Sequence, residues 1–203
     1  MKNNQDRNDK PIALLDLDGT LCDYHGALER DMALLRSPDE PFSWIRDQEP
    51  SYIRRRMDLI RNDPSWWKKL EPLKVGMEIY HKLMIEGFRI VVLTQGPKRN
   101  AEAWKGKVLW CLEHLAEDTD IIITRDKGLV YGKILVDDFP PYAEAWLKHR
   151  PRGLVIMPTQ PWNANYISER VIKYGGSETD IYCLNKNIQI IKMQFEKEKV
   201  NRF

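Results

Sequence analysis

Five short stretches of the chain are apolar without interruption: PIALLDLD (11–18), FRIVVLT (88–94), DIIIT (120–124), KILVD (133–137) and RGLVIMP (152–158). Continuous rather than alternating runs of this length suit strands buried on both faces of a parallel sheet. Between them the period becomes helical. Over 74–86, Val75, Ile79, Tyr80, Leu83 and Met84 recur on one face, and Gly87 is placed to end the helix. Over 100–116, Trp104, Val108, Cys111, Leu112 and Leu115 form a second stripe. Residues 141–149 and 163–174 predict two shorter helices. Strand alternating with helix implies an α/β domain, a mainly parallel sheet flanked by helices.

Residues 22–73 break this rhythm. They hold helical patches, punctuated by Pro41, Pro50, Pro64 and Pro72, and nothing strand-like. About fifty residues is far beyond the few of an ordinary strand connection, so this segment is expected to be a small helical cap inserted after the first strand. The predicted organisation is therefore a core of residues 1–21 and 74–203 with a cap at 22–73. From 175 on, IYCLN reads as a short strand or loop and IQIIKMQFEKEK as a loosely held terminal helix.

Composition narrows the function classes. In 203 residues, 32 are basic and 30 acidic, a net charge of +2. Such a balance argues against coating nucleic acid or an anionic membrane. The three cysteines (Cys22, Cys111, Cys183) are far apart, which argues against a disulfide scaffold or a structural zinc site and fits a reducing cytoplasm. The opening MKNNQDRNDK lacks the apolar core of a secretory leader, and no apolar run approaches a membrane span. A cytoplasmic location is expected. The one compositional excess is tryptophan, seven in all.

Chemistry is concentrated at predicted strand ends, where open α/β sheets bind ligands. The first run ends in Asp16-Leu17-Asp18-Gly19-Thr20. Carboxylates two apart on an extended segment point to opposite faces, but a following glycine lets the chain turn and bring the second back over the same pocket. The fourth run ends in Asp137-Asp138. Adjacent carboxylates there repel unless a cation sits near them, and oxygen-only ligands favour Mg²⁺; an acidic strand end before a Pro turn is the plainer alternative. Thr94 closes the second run, and the Gln95-Gly96-Pro97 turn offers further donors to phosphate oxygens. Lys107 lies on a helix mostly facing the core and could offset phosphate and carboxylate charge; a solvated helix lysine is the commoner alternative.

The series hydrophobic-DxDGT, hydrophobic-T, Lys, hydrophobic-DD resembles the four-motif signature of haloacid dehalogenase superfamily phosphatases, over about residues 11–158. Within it the chain most resembles the 5′(3′)-deoxyribonucleotidases: SWWKKLEPLKVGMEIYHKLM, IIITRDKG…ILVDDFP and PTQPWN are similar to segments of that family, and Lys107 follows Thr94 by its spacing of thirteen. The resemblance implies a Mg²⁺-dependent phosphatase of nucleoside monophosphates, preferring deoxyribonucleotides. Asp16 would be the nucleophile that becomes an aspartyl phosphate. Asp18 would be the acid and then the base, with Thr94 and Lys107 holding phosphate. Mg²⁺ would be bound by Asp16, the backbone carbonyl of Asp18 and Asp138, with Asp137 near it. Tyr24, Trp44, Lys98 and Arg125 match or approach substrate positions, and Gln95 replaces the usual serine. Such enzymes are often homodimers. A phosphatase of another small phosphate ester or of nucleic-acid 3′ ends, and a binding protein on the same scaffold, remain as alternatives.

Overall fold

The structure is a computed structural model that describes residues 9–41, 50–98 and 100–200. Six parallel strands form one sheet: β1 (Ile12–Leu15), β2 (Arg89–Thr94), β3 (Asp120–Ile123), β4 (Ile134–Val136), β5 (Leu154–Pro158) and β6 (Val171–Tyr174). Their spatial order is β3-β2-β1-β4-β5-β6. The chain runs outward from β1 through β2 to β3, then returns to lay β4 against the other side of β1. That reversal is the topological switch point of an open α/β sheet, where a crevice opens beyond the carboxyl ends. Leu15 pairs with Val136 across β1 and β4, so the residues that follow, Asp16 and Asp137, leave the sheet side by side.

Both faces are covered. Ala13, Leu15, Val92 and Val136 face a core completed by α4 (Lys74–Ile85), α5 (Ala101–His114) and α7 (Glu178–Val200), with Ile79, Leu83, Trp110, Leu184 and Ile188 buried. Leu14, Leu93, Leu135 and Val155 face the other core, with Ala143, Trp146 and Leu147 of α6 (Pro140–Lys148). Gly87, at φ 83°, ends α4 in the left-handed conformation that glycine takes freely.

Between β1 and α4 stand α1 (Tyr24–Leu34), α2 (Ser51–Arg61) and α3 (Pro64–Lys68), with no strand among the described residues. The chain leaves and re-enters through a narrow neck: Asp23 donates its N–H to the Glu71 carbonyl (2.9 Å), and Leu73 to that of Leu21 (2.8 Å).

Three expectations are corrected. Residues 163–174 are not a helix. Asn163 locks a turn by donating to the Asp138 and Pro158 carbonyls (2.8 and 2.9 Å). Val171–Tyr174, β-branched and aromatic, then pairs with β5 as a sixth strand. Nor does the chain after 175 divide into strand and loose helix. Asp180 accepts from the N–H groups of Gly175 and Ser177 and starts one helix, α7. Its buried stripe of Leu184, Ile188, Ile191 and Phe195 docks on the sheet. Lys192 and Lys133 pair with Glu86 (2.9 Å) and Glu198 (2.5 Å) across the same junction. Finally, Trp104 and Leu112 of α5 point outward, at 41% and 63% exposure. The buried face carries Ala103, Gly106, Lys107, Trp110 and Cys111 instead. A Cβ at Gly106 would lie 2.5 Å from Trp67 Cβ and 2.8 Å from the Pro64 carbonyl oxygen, so glycine is what lets α3 seat on α5.

Candidate active site

The acidic motif after β1 folds on itself. Thr20, Leu21 and Cys22 all donate their N–H groups to the Leu17 carbonyl (3.3, 2.9 and 2.9 Å), and Gly19 takes φ 76°. A side chain at 19 would be strained, and its Cβ would come within 2.8 Å of Asp138 Oδ2. The turn therefore puts Asp16 and Asp18 on one cavity and brings the loop against Asp138. One carboxylate oxygen each of Asp16, Asp137 and Asp138 lies within 4.8 Å of the others, and all three residues are buried.

Two buried lysines serve this cluster. Lys107, from α5, donates to Asp18 Oδ2 (2.5 Å), to Thr94 Oγ1 (3.0 Å) and to the Gln95 carbonyl (2.9 Å). Lys127 reaches in from the other side, with its Nζ 2.8 Å from Asp16 Oδ1 and 2.7 Å from Asp137 Oδ2. It sits in a one-turn 3-10 helix, Lys127–Leu129, that Asp126 caps by accepting from the Gly128 N–H (2.9 Å). Burial opposes the Lys127 charge, but Asp137 and Asp16 outweigh it and hold the ammonium above its ordinary range. Fully ionised, the four carboxylates around the cluster carry two more negative charges than the two lysines offset. A set of buried carboxylate oxygens with surplus charge fits a hard divalent cation.

The cluster opens into a cavity of about 500 Å³. Tyr24 and Trp67 stack on one wall, with ring centroids 5.3 Å apart and planes at 14°. Arg61, the last residue of α2, lines the same side and reaches the Tyr24 hydroxyl at 3.4 Å. His25 and Trp162 form another wall, centroids 4.5 Å apart. Tyr142 donates its hydroxyl to Gln95 Oε1 (2.6 Å), and Lys127 lies 4.6 Å over its ring.

The structure thus gathers Asp16, Asp18, Thr94, Gln95, Lys107, Asp137, Asp138 and Tyr24 around one site. Lys98 and Arg125 stand exposed on adjoining loops, outside the lining of this cavity. Trp44 lies outside the described residues. Lys127, Arg61, His25, Tyr142 and Trp162 were not legible as site residues. For Lys127 one signal existed: a lysine just after the third apolar run, ten residues before the acidic pair.

Burial shifts the acids. It raises the Asp18 carboxyl, with Lys107 opposing. It raises Asp138 to about 7, and Asp16 and Asp137 push in the same direction. A carboxyl that titrates higher when folded costs stability once ionised. In the metal-free protein this cost is complete above about pH 7 and vanishes as pH falls toward 4. Asp138→Asn is therefore expected to raise the metal-free Tm at pH 8, by roughly 2–4 °C per kcal/mol relieved. The Thr20 hydroxyl can turn to accept from the new amide. Thermal melts from pH 8 to 4 check this, and a gain that grows toward acid would contradict it.

A family model described as 5′ nucleotidase, deoxy (pyrimidine), cytosolic type C protein matches residues 10–185. A Bordetella pertussis protein assigned by name as a 5′(3′)-deoxyribonucleotidase is 30% identical over 162 residues, 75% of this chain and 85% of its own length. The human mitochondrial 5′(3′)-deoxyribonucleotidase is 28% identical over 141 residues, 63% of this chain and 61% of that one. Among solved structures, a haloacid dehalogenase-like family hydrolase from Xanthomonas campestris has a similar fold. Its TM-score is 0.51 at 14% identity, over 89% of this chain and 98% of that one. Among the described residues, no helix is long and apolar enough to cross a membrane.

Proposed function

Because the chain belongs to the cytosolic type C 5′ (deoxy)nucleotidase family, a family of phosphoric monoester hydrolases, we propose that it hydrolyses deoxyribonucleoside monophosphates through Asp16. One observation carries this reading. Asp16 and Asp18 line one cavity, and the second is an acid with a raised pKa whose Oδ1 is buried without a hydrogen-bond partner. A nucleophile beside a group able to hold a proton is what ester cleavage at phosphorus needs.

In the first step an Asp16 carboxylate oxygen bonds to phosphorus, the phosphorus–ester oxygen bond breaks, and the leaving hydroxyl takes the Asp18 proton. In the second, water attacks the phosphorus of the aspartyl phosphate and gives its proton to Asp18, which releases phosphate and regenerates Asp16. Lys107 and Thr94 hold phosphate oxygens on one side. Lys127 orients Asp16 and offsets charge on the other. The acidic set fits Mg²⁺, which Asp16, Asp138 and the Asp18 carbonyl would hold. Asp137 stands close by, with both oxygens already engaged by Lys127 and the Phe139 N–H. When bound, the ion offsets the negative charge shared by phosphate and nucleophile.

The helical segment between β1 and α4 is the cap that chooses the substrate. The Tyr24–Trp67 stack and the His25–Trp162 pair offer faces for a base, a contact worth about 1–3 kcal/mol. The cavity falls within the roughly 300–1,000 Å³ of small-molecule sites.

A phosphate-release panel tests the reading with deoxyribonucleotides, ribonucleotides, sugar phosphates and 3′-phosphorylated oligonucleotides. Turnover of deoxyribonucleotides is expected with Mg²⁺, lost with chelator and restored by the metal. Failure on every deoxyribonucleotide would overturn the substrate assignment.

A further inference from the structure

We propose that Trp162 is a positioning residue for Asp138, its indole N–H fixing the one carboxylate of the three-acid cluster that Lys127 does not contact. The inference rests on the metal-dependent reading above. Among the three clustered acids, Asp16 and Asp137 share the Lys127 ammonium. Asp138 is held by neutral donors: Thr20 Oγ1 gives its proton to Oδ1 (2.9 Å) and Trp162 Nε1 to Oδ2 (2.9 Å). These bonds orient the carboxylate without an ion pair. Each oxygen accepts one bond and keeps a lone pair for a metal. An indole nitrogen only donates, so it cannot turn round and compete as an acceptor.

The turn that carries Trp162 is anchored to the same acidic loops. Asn163 donates to the Asp138 carbonyl (2.8 Å), and Gln160 Nε2 to the Gly19 carbonyl (2.9 Å). Trp162 is 43% exposed, so burial in a core does not account for the direction of its N–H. Partners of this kind, behind a metal ligand, change metal affinity about 10–100-fold when removed.

Trp162→Phe keeps a ring against His25 and deletes the donor. Mg²⁺ titrated into the substrate-free protein by calorimetry should bind about tenfold more weakly than to wild type. The metal-free Tm should stay within about 3 °C. Trp162→Leu should show the same loss of affinity, so either folded variant decides. A lowered Tm with unchanged Mg²⁺ affinity would make Trp162 merely structural and overturn the inference. No Mg²⁺ binding by wild type would overturn the metal reading beneath it, a result distinct from the first.

Discussion

Asp16→Asn is expected to lower deoxyribonucleotide turnover by on the order of 10⁴-fold or more, the scale seen when a nucleophile is removed from a concerted site. Asparagine has the same shape, and Asp16 is 5% exposed, so the fold should survive. The amide carbonyl can still accept from Lys127, whose Nζ lies 2.8 Å from Oδ1. One negative charge also leaves a crowded cluster, so the metal-free Tm should hold or rise. Phosphate release and thermal melting together check this. Activity within tenfold of wild type would remove Asp16 from the role of nucleophile.

Lys127→Met should damage both stability and turnover. The lysine is 3% exposed and joins Asp16 to Asp137. Deleting one partner of a buried ion pair costs about 3–5 kcal/mol because the remaining charge is stranded. Here two carboxylates are stranded, with Asp138 beside them. Without metal, Tm should fall by about 10 °C. Mg²⁺ should then raise the variant's Tm by more than it raises that of wild type, since the ion takes over part of the lost compensation. Turnover at saturating Mg²⁺ should still drop by on the order of 10²–10³-fold, as for loss of a preorganised charge partner. Melts with and without Mg²⁺, paired with kinetics, separate the two effects. An unchanged Tm would mean that Lys127 does not balance the cluster.

Much of this was legible from residue order. The continuous apolar runs of β1, β2, β4 and β5 announced strands covered on both faces, and the acids just beyond β1 and β4 announced a site. What was not legible has physical causes. The α5 stripe was read from its large residues, yet beside Trp110 and Cys111 its buried face is built on Ala103, Gly106 and Lys107. Two of these are too small to carry a hydrophobic signal, and the third is charged. The β6 strand lies behind a polar loop whose shape depends on Asn163 bonding across to Asp138, a contact between residues far apart in order. Lys127 looks like any loop lysine until the β1–β4 register sets Asp16 beside Asp137. Arg61 and Trp162 reach the cavity only because the neck and the turn after β5 fold back over the strand ends.

The most direct measurement is chemical trapping during turnover. The enzyme is mixed with a deoxyribonucleoside monophosphate and Mg²⁺, quenched within the first turnovers, reduced with borohydride and mapped by peptide mass spectrometry. Reduction of an aspartyl phosphate leaves homoserine. The account predicts substrate-dependent homoserine at position 16 and at no other acidic residue. Phosphate release with Asp16 unreduced and homoserine at another position would contradict it.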